Sequence, residues 1–191
     1  MFPYPIVLAS GSPRRRELLA RMGITFDVCS TDVDEHVAGR AREIVAVLAE
    51  RKARAAARDY DRGIIIASDT LVSVDGYALG KPRDRAEAVA MLRDLSGREH
   101  EVFTGVCLLD AATGRTRAET ARTGVTFRAL SAAEIDAYVD TGEPMDKAGA
   151  YGIQGGAGAF VEALDGTFEN VMGFPVDLVR EMLDEFVKSD A

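Results

Sequence analysis

The sequence predicts a single domain of the mixed α/β class, with much of its sheet antiparallel. Its 191 residues fit one domain, and 47% of them are apolar, which is enough to build a large core. Short apolar runs alternate along the chain with segments of helical periodicity, so strands and helices are interspersed. Residues 100–128 alternate polar and apolar side chains around Thr113-Gly114, which indicates two long paired strands. The order therefore differs from a strict strand–helix–strand repeat.

The first half of the chain predicts three strands and two helices. They are a strand at 6–9, a helix at 14–22, a strand at 24–28, a helix at 41–60 and a central strand at 63–67. Ser12 is the expected N-cap of the first helix, Pro13 stands at its first position and Gly23 follows its end. The run Ile64-Ile65-Ile66 is short and β-branched, as in a strand buried on both faces.

The second half predicts a hairpin, three further helices and three more strands. They are a hairpin at Asp75-Gly76, a helix from Asp84 that stops at Gly97, the paired strands of 100–128, a helix from Ser131 to Gly142, a strand near 159–164 and a final helix at about 175–187. Asp84 with Glu87, and Ser131 with Glu134, have the spacing of capping boxes. These pairs set where the two middle helices begin.

The composition argues against several classes of partner and of cellular setting. Acidic residues number 31 and basic residues 23, and the formal charge of −8 argues against nucleic acid or an anionic membrane as a partner. Cys29 and Cys107 are too few for a disulfide scaffold and lack C-x-x-C spacing, which favours a reduced, cytoplasmic setting. No apolar run reaches the roughly 18 residues of a membrane helix, and the first residues lack the pattern of a signal peptide. The sequence does not distinguish a monomer from a homodimer.

Three arginines stand where a helix begins, in the segment Ser10-Gly11-Ser12-Pro13-Arg14-Arg15-Arg16. A helix N-terminus carries partial positive charge, so cations in its first turn are locally unfavourable. A bound polyanion would reverse that effect, because backbone N–H groups, serine hydroxyls and guanidinium groups could share its oxygens. The alternative is a solvated basic face, and we expect at least one of the arginines to point to water. The segment is a candidate phosphate site.

Carboxylates follow two of the predicted strands. Asp69 and Thr70 come at the expected end of the central strand, where open α/β sheets bind ligands. Asp69 could hold a divalent cation or orient a water, and alternatively it could close an Asx-turn. Asp32, Asp34 and Glu35 form an acidic loop of the kind that suits Mg²⁺ or Mn²⁺, although such loops are common in acidic proteins.

Lysines and a glycine-rich segment complete the candidate residues. Lys52 lies on the apolar side of its predicted helix, Lys81 sits in Gly80-Lys81-Pro82 after the hairpin, and Lys147 precedes the glycine-rich segment 149–156. Each lysine could extend harmlessly to solvent, or all three could converge on phosphate as point charges. Gln154 would offer an amide beside backbone that a ligand can approach closely, or the segment could be only a flexible turn.

Other chemistries lack their motifs. His36 and His100 are the only histidines and form no H-E-x-x-H, so a zinc enzyme is not predicted. No G-x-S-x-G elbow is present, and aromatic residues do not interleave with lysine and arginine as on a nucleic-acid platform. We expect both histidines on the surface or in loops.

Seven segments match, in order, the motifs of one known family. They are Leu8–Arg15, Asp34-Glu35, Lys52-Ala53, Ser68–Thr70, Gly80–Pro82, Glu143–Gly155 and Asn170–Pro175. The chain thereby resembles the Maf family of nucleoside triphosphate pyrophosphatases over nearly its whole length. The resemblance implies one domain over 1–191, with an elongated, twisted mixed sheet and two lobes around a central cleft, similar to inosine-triphosphate-type enzymes. Ser68, Met172 and Phe174 depart from the usual family residues, which indicates changes of packing.

The resemblance also implies the site. Asp69 falls on the family's proton acceptor, while Arg14, Thr70 and Gln154 fall on positions that separate the dTTP/UTP subgroup from a relative that acts on 7-methyl-GTP. We therefore predict that Asp69 activates water and that Glu35 and Asp34 help it to hold Mg²⁺ or Mn²⁺. Lys52 and Lys81, which would clamp the triphosphate, are predicted to be catalytic together with Asp69 and Glu35. The predicted substrate-binding residues are Ser10, Ser12, Arg14, Arg15, Thr70, Lys147 and Gln154. Cleavage of the α–β phosphoanhydride would yield a nucleoside monophosphate and pyrophosphate.

Two alternatives stay open on the sequence. One is a nucleotide-sensing regulator of septum formation or cell division whose hydrolysis is incidental, although a pure binder has no need of carboxylates beside a polyphosphate. The other is an inosine-triphosphate-type house-cleaning enzyme of broad specificity. Measuring turnover with and without a chelator would test the regulator hypothesis. A panel of purine and pyrimidine triphosphates would test the hypothesis of broad specificity.

Overall fold

A single mixed sheet forms the centre of the computed structural model, which describes residues 4–188. Its strands within that range are β1 (Ile6–Ala9), β2 (Asp27–Cys29), β3 (Ile64–Val74), β4 (Tyr77–Leu79), β5 (Glu99–Asp110), β6 (Thr116–Phe127) and β7 (Val161–Asp165). The strand order is β2-β1-β3-β5-β6-β7, and β4 pairs with β3. The first strand is parallel to β2 and β3, while every later pairing is antiparallel. The predicted mixed α/β class with a large antiparallel share is confirmed.

Helices flank this sheet. In the described range they are α1 (Pro13–Arg21), α2 (Ala41–Ala56), α3 (Arg85–Leu95), α4 (Ala132–Asp140), α5 (Phe168–Val171) and α6 (Val176–Lys188). Short 3₁₀ turns occupy Ala57–Asp59, Glu143–Asp146, Ala148–Ala150 and Gly156–Phe160. The predicted helices are all present, whereas α5 was not predicted because four residues show no helical period. No described helix is both long enough and apolar enough to cross a membrane.

The caps and the hairpin form where the sequence predicts them. The side chains of Asp84 and Ser131 accept hydrogen bonds from the backbone N–H groups three residues on, at the starts of α3 and α4. Asp75 and Gly76 both have positive φ, 51° and 82°, as a tight two-residue hairpin turn requires. Ser12 is the N-cap of α1 and Pro13 its first residue, but the Ser12 side chain makes no capping hydrogen bond.

The central strand is longer than predicted. It continues to Val74 because residues 64–73 pair antiparallel with β5 and Val72–Val74 pair with β4. Asp69 therefore lies in the middle of β3, opposite Gly105, and the expectation that it ends the strand is wrong. The polar side chains at 68–70 make this segment look unlike a strand in the sequence. It is a strand because β5 pairs with it along its length and supplies the backbone hydrogen bonds.

Alternate residues of the central strands build two cores on opposite faces of the sheet. Ile65 and Ala67 pack with α2 through Ala49 and Ala53, whereas Ile64 and Ile66 belong to the larger core on the other face. A side chain at Gly105 would overlap the carbonyl oxygen of Val45 in α2. Helix α2 can therefore lie directly against β5, which brings its last turns close to β3.

One expectation about the histidines is wrong. His100 is 2% exposed and lies in β5, where its Nε2 is 2.8 Å from the Tyr151 hydroxyl and its ring packs edge-on to Phe127. The flanking glutamates at 99 and 101 made this segment look polar, but strand alternation turns His100 inward. His36 is exposed as expected, and Cys29 and Cys107 are free thiols.

Candidate active site

A cleft of about 1040 Å³ collects the residues that the sequence singled out. Of the predicted site residues, those that line it are Ser10, Ser12, Arg14, Arg15, Glu35, Lys52, Asp69, Thr70, Lys81, Lys147 and Gln154. They come from α1, α2, β3 and four loops that are far apart in sequence. Because β1 runs parallel to the first half of β3, its C-terminal end points toward the middle of β3, and this adjacency gathers the side chains.

Lys52 joins two of the carboxylates that line the cleft, Asp69 and Glu35. Its Nζ lies 2.5 Å from Asp69 Oδ1 and 2.8 Å from Glu35 Oε1, and its side chain is 13% exposed. The position of Lys52 follows from helical periodicity, because Ile44 and Leu48 on the same face of α2 are buried. The hydrogen bond from Lys52 lowers the pKa of Glu35 below its usual range, so that carboxylate is charged at neutral pH.

Arg15 is held by oxygens of the protein. Its Nε donates to the Gly173 carbonyl at 2.9 Å, and its two terminal nitrogens donate to the Ser68 carbonyl at 2.8 Å and the Thr70 hydroxyl at 3.1 Å. Burial lowers the pKa of Arg15, although the charge of Asp69 opposes that shift. These bonds connect α1 and the loop after α5 to both sides of Asp69, so Arg15 fixes the backbone that carries the central carboxylate.

A buried chain of hydroxyl groups continues from Arg15. The Thr70 hydroxyl is 3.0 Å from that of Thr104, and Thr104 donates to the Asn170 carbonyl at 3.0 Å. Because a hydroxyl has one proton, Thr104 has none left for Thr70, and Thr70 must therefore donate to Thr104 while it accepts from Arg15. The chain thus has one direction, from the guanidinium to the carbonyl.

Sequence reasoning missed Thr104 and Asn170. Asn170 is 1% exposed, and its amide nitrogen donates to the Val102 carbonyl at 3.1 Å and the Thr123 hydroxyl at 3.0 Å. The available signal was an asparagine inside the matching segment 170–175, between residues that are mostly apolar. Thr104 gave no local signal, because threonine is ordinary in a strand.

Three further cations of the cleft lack a carboxylate partner among the described residues. Within residues 4–188, Arg14, Arg15 and Lys81 make no ion pair, whereas Arg16 is exposed outside the cleft, as expected for one member of the run. Ser10 accepts a hydrogen bond from the Ser12 backbone N–H at 3.2 Å, which closes the turn before α1. The cleft therefore offers surplus positive charge beside a helix N-terminus, an arrangement that attracts anions.

Two predicted residues have other partners. Asp34 does not line the cleft: its side chain is 70% exposed and lies 2.8 Å from His36 Nδ1, and the His36 backbone N–H lowers its pKa. Lys147 lines the cleft, but its Nζ donates to the Glu143 carbonyl and to Asp146, both at 2.7 Å. In the described part of the chain, no three histidine, cysteine, aspartate or glutamate side chains are arranged to hold a metal ion by themselves.

Comparison with known proteins agrees with the family that the motifs indicate. The model of the family described as Maf-like protein matches residues 5–186. The chain belongs to the Maf family. The resemblance predicted from the sequence is therefore confirmed, and the mixed sheet with flanking helices is consistent with the Maf fold.

Individual Maf relatives match along almost their whole length. A protein of Pelotomaculum thermopropionicum is 48% identical, with 95% of this chain and 96% of the relative covered. A Symbiobacterium thermophilum protein is 50% identical, over 95% and 93%, and one of Bdellovibrio bacteriovorus is 46% identical, over 95% and 98%. All three carry the name dTTP/UTP pyrophosphatase.

Proposed function

We propose that this chain hydrolyses dTTP and UTP to the nucleoside monophosphate and pyrophosphate. The observation that carries the proposal is the Asp69–Lys52–Glu35 group, which lies in a cleft with unpaired cations. Relatives that match over 95% of the chain bear the name of this activity. Two alternative hypotheses, a regulator of septum formation and an inosine-triphosphate-type enzyme, are not favoured. No feature of the cleft requires either function, and the names of the relatives mention neither.

The cations account for binding of the triphosphate. Lys81 lines the cleft without a carboxylate partner in the described range, so its charge is available to phosphate oxygens. Ser10 and Ser12 stand at the start of α1, where N–H groups and hydroxyls can donate to the same oxygens. Lys147 and Arg15 are already bonded to the protein, so they contribute charge and shape to the wall.

Asp69 is the group that we assign to water. Water adds to phosphorus, the bond from phosphorus to the bridging oxygen breaks, and pyrophosphate leaves with the bond's electron pair. Asp69 accepts the proton that the water loses. Lys52 and the Arg15 contacts hold this carboxylate and its strand in one position, and a fixed base reduces the entropic part of the barrier.

Glu35 and Asp69 are suited to a divalent cation. Lys52 bonds to one oxygen of each, and no residue among 4–188 bonds to the other oxygen of either carboxylate. Two carboxylates make only part of a coordination shell, which Mg²⁺ or Mn²⁺ commonly completes with nucleotide phosphates and waters. A cation bound there supplies positive charge against the phosphate oxygens. Asp34 is not in place to join them.

Arg14, Gln154 and Thr70 are the residues that we assign to base recognition. Gln154 is exposed at a turn on the cleft wall, and its amide offers both a donor and an acceptor. The Thr70 hydroxyl is engaged by Arg15 and Thr104, so Thr70 acts through the shape of the pocket.

We also infer that the chain works as one cytoplasmic domain of 191 residues, of which 1–3 and 189–191 lie outside the described range.

The test is a panel of dTTP, UTP, CTP, GTP and ITP, with Mg²⁺, with Mn²⁺ and with chelator, in which both products are identified. We expect monophosphate and pyrophosphate from dTTP and UTP, and loss of turnover with chelator. Asp69→Asn keeps the side-chain shape but removes the base, so kcat should fall at least about a hundredfold. Release of pyrophosphate by this variant at the wild-type rate would contradict the role of Asp69, and inactivity on every triphosphate would contradict the function.

A further inference from the structure

Two side chains that the proposed chemistry does not use anchor both ends of the turn that carries Gln154. The Tyr138 hydroxyl accepts a hydrogen bond from the Gly152 N–H at 3.1 Å and lies 3.0 Å from Glu143 Oε1. The other carboxylate oxygen, Glu143 Oε2, accepts from the Gly156 N–H at 3.1 Å. Gly152 and Gly156 flank Gln154 symmetrically, so one tyrosine–glutamate pair holds the turn on both sides.

The directions of these bonds are determined by their chemistry. A backbone N–H can only donate, so the Tyr138 hydroxyl accepts from Gly152 and gives its own proton to Glu143. Burial raises the pKa of Tyr138, which keeps that proton in place over the working range of pH. The Tyr138 side chain lies on α4 and packs edge-on to Phe160 with ring centres 5.2 Å apart, so its position is tied to the core.

The backbone of the turn also lies directly on neighbouring side chains. A Cβ at Gly155 would overlap the Glu143 carboxylate, and one at Gly152 would come within 2.7 Å of Lys147 Cε. Lys147 in turn donates to the Glu143 carbonyl at 2.7 Å. Glycine at these positions lets the turn rest against Glu143 and Lys147, which determines where the exposed Gln154 side chain faces the cleft.

We propose that Tyr138 and Glu143 are positioning residues that set the preference for uracil and thymine bases by fixing the 152–156 turn. The inference rests on the proposed function and names how its base selectivity is enforced. Neither side chain reads the base. They act through Gln154, because an amide can select between base edges only if the backbone that carries it is fixed.

The experiment compares Tyr138→Phe and Glu143→Gln with wild type, using UTP and CTP as substrates of equal size but opposite hydrogen-bonding edges. In Tyr138→Phe, the Gly152 N–H loses its acceptor. In Glu143→Gln, one carboxylate oxygen becomes an NH₂ group, so either the Tyr138 hydroxyl or the Gly156 N–H faces a donor where it needs an acceptor. We expect KM for UTP to rise about tenfold while kcat changes less than about twofold, and the UTP/CTP ratio of kcat/KM to fall. Unchanged KM and ratio in both folded variants would overturn the proposal.

A matched control tests whether weakening α4 alone has this effect. Arg85 in α3 bonds to Asp136 and Asp140 of α4 at 3.0 and 2.9 Å, and it does not line the cleft. Arg85→Gln removes these surface ion pairs and leaves the Tyr138 contacts intact, so KM and the UTP/CTP ratio should stay at wild-type values. A shift as large as that of Tyr138→Phe would assign the effect to general loosening of the helix and overturn the positioning role.

A double-mutant cycle with Gln154→Ala tests whether the pair acts through Gln154. If it does, adding Tyr138→Phe to Gln154→Ala lowers the UTP/CTP ratio no further, whereas independent residues give additive effects. Hydrogen exchange supplies a readout that needs no turnover: amides of 152–156 should exchange faster in both variants, with core amides unchanged. An additive cycle or unchanged exchange refutes the inference.

Failure of the proposed function has a different signature. In that case wild type releases no pyrophosphate from UTP or dTTP. Wild type and Tyr138→Phe are then compared by their Kd for α,β-methylene-UTP, whose α–β bridge cannot be hydrolysed. A rise of about tenfold in Kd for Tyr138→Phe would keep the positioning role without the reaction. Equal affinity of wild type and variant, or binding by neither, would overturn it.

Discussion

Protonation of His100 should make the protein sensitive to mild acid. Burial, with a smaller contribution from the charge of Arg98, lowers the pKa of His100 from 6.5 to about 4. The unfolded chain takes up a proton as pH falls through 6.5, whereas the folded chain resists it until about pH 4. The unfolded state therefore binds more protons in that window, so stability is full above pH 6.5 and declines as pH falls toward 4.

The expected size of the effect follows from the two pKa values. Each pH unit well inside the window costs about 1.4 kcal/mol, and at pH 5 the contribution of this one group is about 2 kcal/mol. The only described partner of the ring nitrogens is the Tyr151 hydroxyl, while Nδ1 is buried without a hydrogen bond. A proton gained at Nδ1 would thus add an unpaired donor to the core.

The assay is urea unfolding at pH 7.5 and pH 5.0 for wild type and for His100→Gln. Glutamine can still bond to the Tyr151 hydroxyl but does not titrate, so the carboxylates shared by both proteins cancel in the comparison. We expect wild type to lose about 2 kcal/mol more than the variant between the two pH values. Equal losses would show that His100 is protonated as readily in the folded as in the unfolded chain, and would refute the reasoning.

Two further predictions concern how the cleft is supported. Thr104→Val leaves the buried Asn170 carbonyl without its donor and should cost about 1–3 kcal/mol of unfolding free energy, measured in urea; a loss below about 0.5 kcal/mol would contradict the hydroxyl chain. Gly105→Ala places a methyl group against the Val45 carbonyl of α2, so it should destabilise by about 1–3 kcal/mol. It should also lower kcat, because α2 carries Lys52; a stable variant with wild-type kcat would show that α2 need not touch β5.

Local patterns were sufficient for most elements. Capping residues such as Ser131 with Glu134 act within one helical turn, so sequence alone determines that start. Asp75-Gly76 determines the hairpin in the same way, because positive φ is accessible to few residue types. The length of β3 was not accessible, since its polar half is a strand only because β4 and β5 pair with it.

In the candidate site too, the sequence revealed some features and only the structure showed the others. Lys52 was identified because a lysine on the apolar side of a helix is anomalous, and the structure places its ammonium between two carboxylates. Arg15 was expected on phosphate, yet most of its donors bond to protein oxygens, and no local pattern reveals which acceptors surround a guanidinium. The burial of His100 is a similar case, because its neighbours 99 and 101 are both charged.

The sequence by itself determined the class of fold, the capped starts of α3 and α4 and the kinds of side chain that a polyphosphate requires, because these depend on neighbours within a few residues. The tertiary structure decided which charges meet: Asp69 with Lys52, Arg15 with the backbone around Asp69, and Asp34 with His36 instead of the cleft. Electrostatic energy and hydrogen bonding depend on distances of a few ångströms. Residues far apart in the chain reach such distances only through the pairing of strands and the packing of helices on the sheet.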